Sequence, residues 1–187
     1  HAVVVAVAPR IAAHGIHFSR GLLSKEKTAA CSAMVPGHVV KTIAAFDEAF
    51  WLPSASGAAS GDKGHVSELG MVHNLFHSSM LLREKTMPAL VGLATGDAAT
   101  VLQGMTPEQR RQAFVAQLQK MYGLPMPKEP TWFVDRVWPS EEFSRGCFAG
   151  VCPPTGAFST VVRDLRVPVV LRHNNALVLC ATETSTE

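Results

Sequence analysis

Charged residues are scarce in this chain. They make up 17% of its 187 residues, below the roughly 25% that is usual for soluble domains. The net charge is only +2, and the basic residues are scattered, so no basic patch indicates a nucleic-acid-binding protein. The low charge content is typical of a chain that buries one face against another surface, and almost equally of a compact, weakly charged monomer.

Cysteine is also scarce, and the apolar runs are short. The four cysteines form no Cys-x-x-Cys pair, which argues against a disulfide scaffold and a structural zinc site. Cys147 and Cys152 could pair only as a minor alternative. The Val-rich run at 2–8 is too short to span a bilayer and has no basic leader of the signal-peptide kind. Prolines exclude a membrane helix from the uncharged stretch 146–162, and the cellular location is left open.

Motifs of several enzyme classes are missing. The sequence contains no Gly-x-Ser-x-Gly, no phosphate-binding loop and no Gly-x-Gly-x-x-Gly turn. His73 and His77 have a spacing that could bind a metal on a helix, but apolar neighbours such as Val72 and Leu75 favour a strand or turn. Packed or surface histidines are therefore the preferred interpretation. No metal is expected, and a metal-dependent protein stays a minor alternative.

The apolar patterns predict an α+β fold, because strands and helices alternate only in part. Residues 106–122 are the clearest helix, since Thr106 can cap it, Pro107 takes its first position and Gln109 completes a capping box. The Val-rich run at 2–8, closed by Pro9, is typical of a strand buried on both faces. The remaining predictions are a helix at 25–32 and strands at 38–46, 65–76, 89–95, 131–138 and 176–180.

Lys41 is the first candidate functional residue. It lies in the strand predicted at 38–46 and shares a face with Val39 and Ile43. The ordinary interpretation is a strand-edge lysine, or one whose stem lies on the core while its amine reaches water. The functional interpretation is a buried lysine, which loses proton affinity by desolvation and can hold a neutral amine or a water.

Four segments resemble, in order and spacing, the monoamine oxidase branch of the flavin-containing amine oxidase family. That family has a Trp, a Ser-Gly-Gly-Cys-Tyr, a Leu-Arg-x-Pro and an Ala-Gly-Thr-Glu-Thr segment. Upstream of them it has a Gly-x-(Val/Ile)-(Val/Ile)-Lys segment followed by Phe-Trp, which Gly37 to Lys41 and Phe50-Trp51 resemble. The matching C-terminal segments here are Trp138, Ser144-Arg145-Gly146-Cys147-Phe148, Leu165-Arg166-Val167-Pro168 and Cys180-Ala181-Thr182-Glu183-Thr184.

The resemblance implies roles for individual residues. Lys41 would hold a water beside the flavin N5 atom, and Phe148 would form one wall of an aromatic cage around the substrate amine. Cys147 would contact the flavin, with a covalent thioether and non-covalent binding equally open. Thr182 and Glu183 would lie near the ribityl chain, together with Ala181 at a position where the family has glycine.

The resemblance also implies a domain arrangement. The expected fold is a mixed β-sheet substrate-binding domain with flanking helices, plus strands that belong to an incomplete FAD-binding domain. Residues 1–9 would be a strand of the FAD-binding domain. Residues 10–175 would be the substrate-binding domain, with a flavin-contacting loop at 138–156. Residues 176–187 would begin the C-terminal FAD-binding segment.

The implied function is FAD-dependent oxidation of a primary or secondary amine to an imine and aldehyde, with O2 reduced to H2O2. The expected partners are a small-molecule amine and an N-terminal FAD-binding portion of the same protein, with a homodimer left open. The 187-residue chain alone is expected to be inactive. The alternative is a degenerate, non-catalytic binding module with the same substrate-domain fold, which Arg145 and Ala181, in place of family glycines, favour.

Overall fold

The structure, a computed structural model, describes residues 2–52, 65–66, 70–122, 129–146, 149–152, 158–170 and 176–180. The chain divides into two compact units. The first, called here the split unit, comprises His1–Gly37 and Pro139–Glu187. The second, called the continuous unit, comprises His38–Trp138.

The described residues mix helices and strands, which confirms the expectation of a mixed fold. None of the described helices is both long and apolar enough to cross a membrane. In chain order the elements are β1 (Ala2–Val5), α1 (Pro9–Gly15), α2 (Lys25–Ala33), β2 (Val35–Pro36), β3 (Val39–Ala45), β4 (His65–Val66), β5 (Asn74–Leu82), β6 (Lys85–Thr95), α3 (Gly96–Gln103), α4 (Pro107–Tyr122), β7 (Trp132–Val137), a 3₁₀ turn (Trp138–Ser140), β8 (Gly150–Val151), α5 (Phe158–Arg166), β9 (Val169–Val170) and β10 (Ala176–Leu179).

The continuous unit is built on a five-stranded antiparallel sheet. Its strand order is β4-β5-β6-β3-β7, so β3 lies inside the sheet between β6 and β7. The longest pairing joins β5 to β6 through a turn at Arg83 and Glu84, both of which have positive φ. Side chains alternate between the two faces of a strand, so this register fixes which residues of neighbouring strands share a face.

Helices α3 and α4 pack on one face of this sheet. Phe114 and Leu118 of α4 join a buried cluster with Ala44 and Leu90 from the sheet, and α3 contributes to a second cluster around Val40. The even-numbered residues of β3 therefore form the core side of the strand. Burial of these apolar side chains is the main force that holds the helices on the sheet.

The start of α4 follows the predicted capping box. The Thr106 backbone N–H donates to Gln109 Oε1 at 2.8 Å, and the Gln109 backbone N–H donates to Thr106 Oγ1 at 3.3 Å. One turn later, Arg110 is buried and pairs with Asp135 of β7. The same guanidinium donates to the Met105 carbonyl, so one side chain joins the loop before α4 to the sheet.

The split unit contains a three-stranded sheet in the order β1-β10-β9. Strand β1 runs parallel to β10, and β9 is antiparallel to β10. A core cluster joins Ala12 of α1, Cys31 of α2, Leu165 of α5 and Leu177 of β10. This cluster gives the split unit its own apolar interior.

Several sequence expectations need correction. The strand predicted at 2–8 ends at Val5, and Pro9 begins α1 instead of closing the strand. This strand is not buried on both faces, since Val3 is 57% and Val4 is 61% exposed. Among the described residues of this strand, only Val5 packs against a core cluster. Helices α1, α3 and α5 were not predicted.

Candidate functional site

The continuous unit has one sheet face on the side opposite α3 and α4. It carries the odd-numbered positions of β3 and β6 and the even-numbered positions of β5 and β7, as the strand register requires. We call it the Lys41 face. At the end of the face near Ala45, a small buried cluster contains Ala45, Met87 and Ala89. Val39 of β3 is also buried, and the other described side chains of the face are half-buried or exposed. The two helices of this unit contribute to clusters on the other side.

Lys41 lies in the middle of this face. Strand β3 is an interior strand, so Lys41 is not the strand-edge lysine that one ordinary interpretation required. The residues directly opposite Lys41 are Leu93 on β6 and Arg136 on β7. Its side chain is half-buried. The geometry therefore keeps two interpretations: a lysine whose stem lies on apolar surface, and a functional amine.

The neighbours of Lys41 are mainly apolar. Ile43, Val91 and Val134 share the face one step along the strands, and all three are half-buried. Phe76 stands opposite Val91 on β5 and is 37% exposed. Apolar side chains beside an amine are compatible with the flavin ring system that the resemblance implies.

The other predicted site residues lie outside the described part of the chain. These are Cys147, Phe148, Ala181, Thr182 and Glu183. Their roles stay predictions.

The described residues just before Cys147 have glycine-like backbone geometry. Arg145 has φ 51°, in the left-handed region that favours glycine. Gly146 has φ 151°, and a Cβ added there would lie 2.6 Å from the Cβ of Pro36 and 2.8 Å from the carbonyl oxygen of Gly37. This loop therefore requires glycine at 146, and at 145 it holds an arginine in a conformation that favours glycine, the residue of the family motif there.

Sequence reasoning did not predict which side chains lie beside Lys41 on this face. Arg136, Leu93 and Val91 become its neighbours only through the register of three strands. The alternation along β6 was a usable signal, because Val91 and Leu93 alternate with Gly92 and Ala94. The pairing of β3 with β7 had no local signal, since no tight turn joins them.

His77 lies in strand β5 and His73 directly precedes that strand, so the pair is on a strand or turn, as predicted. The His73 backbone N–H donates to the Leu93 carbonyl at 3.1 Å, and the His77 ring lies 6.0 Å from the Trp51 ring. Among the residues that the structure describes, no group of three His, Cys, Asp or Glu side chains could hold a metal.

The split unit contains a buried lysine that the sequence analysis did not single out. Lys27 is 5% exposed, and its Nζ donates to the carbonyls of Asp164 at 2.9 Å, Leu165 at 2.9 Å and Val167 at 2.6 Å. Burial lowers the pKa of Lys27, and the nearby Cys31 and Asp164 oppose this shift. Burial also raises the pKa of the Cys31 thiol. All three donors of Lys27 are used, so the amine serves the fold.

Known proteins are similar to this chain over almost all of it. The sequence model of the family described as flavin containing amine oxidoreductase matches residues 1–187. A probable flavin-containing monoamine oxidase A of Dictyostelium discoideum is 30% identical over 167 residues, which cover 89% of this chain and 34% of that protein. Amine oxidase [flavin-containing] B of Bos taurus is 24% identical over 186 residues, covering 98% of this chain and 33% of that protein.

Solved structures share the fold. Wild-type putrescine oxidase bound to putrescine superimposes with a TM-score of 0.72 at 21% identity, covering 95% of this chain and 36% of that one. Cyclohexylamine oxidase from Brevibacterium oxydans IH-35A gives a TM-score of 0.70 at 22% identity, covering 97% of this chain and 37% of that one. The chain thus spans about a third of the length of these proteins.

Proposed function

Because the chain belongs to the flavin-containing amine oxidase family, we propose that it forms the substrate-binding part of an FAD-dependent amine oxidase. The proposed reaction converts a primary amine, R–CH2–NH2, and O2 into the imine R–CH=NH and H2O2. Water then hydrolyses the imine to an aldehyde and ammonia; a secondary amine, R–CH2–NHR′, gives the aldehyde and the primary amine R′NH2 instead. The other partner in this proposal is an FAD-binding portion of the same protein.

The position of Lys41 is the observation that carries this proposal. Lys41 is half-buried in the centre of an interior strand, among mainly apolar neighbours, and an amine in such surroundings is stabilised when it meets a polar group. FAD, when bound, accepts the electrons of the amine carbon–nitrogen bond. The chain's own contribution is the Lys41 amine, which donates a hydrogen bond from Nζ to a water on this face.

The apolar residues on the Lys41 face support the same function. Ile43, Val91 and Leu93 offer half-buried hydrocarbon surface around the amine. Such a surface excludes water from the reacting carbon and orients an apolar substrate chain. The roles of Phe148 as a cage wall, Cys147 as a flavin contact, and Ala181, Thr182 and Glu183 as ribityl neighbours remain part of the proposal.

The test uses flavin-loaded full-length protein and the variant Lys41→Met. We expect amines to bleach the flavin absorption without oxygen, and H2O2 to form when oxygen is admitted. Lys41→Met should slow amine-dependent turnover roughly tenfold or more, the loss typical of removing a group that positions a proton-transfer water. The matched control is Lys85→Met, since Lys85 lies on the same face at the exposed hairpin end and should leave the rate unchanged.

Two results would contradict different parts of the proposal. An unchanged rate in Lys41→Met would remove Lys41 from the mechanism while leaving the reaction intact. A folded wild-type protein that is colourless, or whose bound flavin no amine reduces, would favour the non-catalytic binding module. Mass spectrometry of the denatured flavin-loaded protein, with Cys147→Ser as the comparison, decides between covalent and non-covalent attachment.

A further inference from the structure

The first 25 residues of the chain, called here the acid-free stretch, contain no Asp or Glu. Arg10, Arg20 and Lys25 lie in this stretch together with three histidines. No carboxylate of the described residues lies within ion-pair distance of the Arg20 guanidinium. The local charge of this part of the split unit is therefore positive, although the net charge of the whole chain is only +2.

A pocket of about 280 Å³ opens in this part of the split unit. It is lined by the polar side chains of one short segment, His17, Ser19 and Arg20, and by an apolar wall of Ile16, Phe18 and Leu23. No Asp or Glu is among its lining residues. Small-molecule sites typically combine an apolar lining with a few polar groups, in volumes of about 300–1,000 Å³. The volume here is near the lower end of that range and suits a small ligand.

The backbone around Arg20 forms a defined turn. The Leu22 backbone N–H donates to the Ser19 carbonyl at 2.9 Å, and Gly21 has φ 79°. A positive φ at the third residue is what a type II turn requires, and glycine adopts it without steric cost. The turn therefore fixes the backbone that holds Ser19 and Arg20 beside the pocket.

We infer that this pocket binds a phosphate monoester that carries a small apolar group. Such an ester has close to two negative charges at neutral pH and three strong acceptor oxygens. The Arg20 guanidinium can bind two of these oxygens with parallel hydrogen bonds, and the Ser19 hydroxyl and a ring N–H of His17 are further donors. Thr28 also lines the pocket, but its hydroxyl donates to the Ser24 carbonyl at 3.0 Å and is not one of these donors.

The lining favours a phosphate monoester over simpler anions. A carboxylate has two oxygens, whereas the pocket offers donors from three side chains, which match the three free oxygens of the ester. An apolar group on the ester can cover Ile16, which is 38% exposed, and the neighbouring apolar wall. Removing that surface from water adds favourable free energy that inorganic phosphate cannot gain.

The test is calorimetric titration of the flavin-loaded full-length protein with phenyl phosphate, and separately with inorganic phosphate and phenol. We expect phenyl phosphate to bind more tightly than either of its halves. Arg20→Gln should raise the Kd for phenyl phosphate about tenfold or more, the loss typical of removing a charged hydrogen-bond donor. Arg20→Lys, which keeps the charge but loses the paired donors, should recover part of the loss. Ile16→Ala should weaken binding of phenyl phosphate and leave that of inorganic phosphate unchanged.

The matched control is Arg10→Gln, which changes an exposed arginine of the acid-free stretch that does not line the pocket. This variant should bind phenyl phosphate as the wild type does, and Arg20→Gln should keep the wild-type melting temperature. Absence of phenyl phosphate binding, equal binding in Arg20→Gln, or an equal loss in Arg10→Gln would overturn the inference. None of these outcomes depends on whether the protein oxidises amines.

Vesicle sedimentation distinguishes the two sources of such an ester, a soluble molecule and a lipid headgroup. Phosphatidylcholine vesicles contain either phosphatidic acid, whose headgroup is a monoester, or phosphatidylglycerol, a diester, at matched charge. Arg20-dependent sedimentation with phosphatidic acid alone would assign the site to a lipid headgroup. Arg20-dependent binding of phenyl phosphate without sedimentation would assign it to a soluble ester. Equal Arg20-dependent sedimentation with both lipids would show general attraction to negative charge and would contradict a monoester site.

Discussion

At the scale of single residues, Lys27 shows how one side chain can bind the free carbonyls at the C-terminal end of a helix. Its amine donates to three carbonyls at the C-terminal end of α5, at Asp164, Leu165 and Val167. The last carbonyls of a helix have no partner within it, and a cation there also interacts favourably with the helix dipole. Lys27 therefore links α2 to the end of α5 inside the split unit.

Replacing Lys27 should destabilise the protein. We expect Lys27→Met to lower the free energy of unfolding by about 1–3 kcal/mol, because several carbonyls lose their donor while the methionine keeps most of the hydrocarbon volume. Urea denaturation followed by circular dichroism measures the change. Lys25→Met, an exposed position of the same helix, should change it by less than about 0.5 kcal/mol. Equal effects of the two variants would contradict the role of the three hydrogen bonds.

The loop before Cys147 also shows which features of the candidate site can be predicted from residue types alone. The Arg145 position was identified from the family motif as one where glycine is usual, and its φ of 51° gives the physical reason. The sequence could likewise nominate Lys41, because the segment around it resembles a family motif. It could not nominate Arg136, whose place beside Lys41 depends on the register of β3 and β7.

At the scale of elements, α4 and the strands expected at 38–46, 89–95, 131–138 and 176–180 follow their sequence signals. The strand expected at 65–76 appears instead as the separate strands His65–Val66 and Asn74–Leu82. The predicted helix at 106–122 appears as Pro107–Tyr122 with its capping box formed. The missed helices have weaker or ambiguous signals. Thr95 makes no side-chain cap for α3, Pro9 is compatible with a strand end as well as with the first position of α1, and α5 follows a Pro-rich stretch. Tertiary packing, not local propensity, decides such short helices.

The β5–β6 turn is an element that its sequence does not favour. Arg83 and Glu84 have φ of 47° and 68°, and the left-handed region costs an ordinary residue roughly 1–2 kcal/mol. Asn-Gly is the preferred pair for a two-residue hairpin turn with both φ positive. The combined variant Arg83→Asn, Glu84→Gly should therefore raise the free energy of unfolding by about 1–2 kcal/mol in urea denaturation.

A shifted pair of substitutions serves as the control for this turn. Lys85→Asn with Thr86→Gly places the same residues two positions later, in strand β6, where glycine and asparagine are unfavourable. That variant should lose stability. A turn variant that is no more stable than the wild type would mean that the side chains of Arg83 and Glu84 compensate for their backbone conformation.

At the scale of the whole molecule, the two units differ in whether one or two segments of the chain form them. The continuous unit, His38–Trp138, is one uninterrupted segment, and three buried clusters lie entirely within it. The split unit needs both His1–Gly37 and Pro139–Glu187. A segment of about 100 residues with its own apolar core is within the size range of independently folding domains.

We therefore expect the segment His38–Trp138, expressed alone, to fold cooperatively. Urea denaturation should give a single transition that coincides for circular dichroism and tryptophan fluorescence. Phe114→Ala removes a side chain from the largest of its described clusters and should lower the free energy of unfolding by about 3–5 kcal/mol. Phe143, exposed and outside the segment, gives the matched control in the full chain, where Phe143→Ala should have little effect. A broad transition, or transitions that differ between the two probes, would show that the sheet bearing Lys41 folds only with the rest of the protein. The core of the segment alone would then not offset the entropy of ordering its chain.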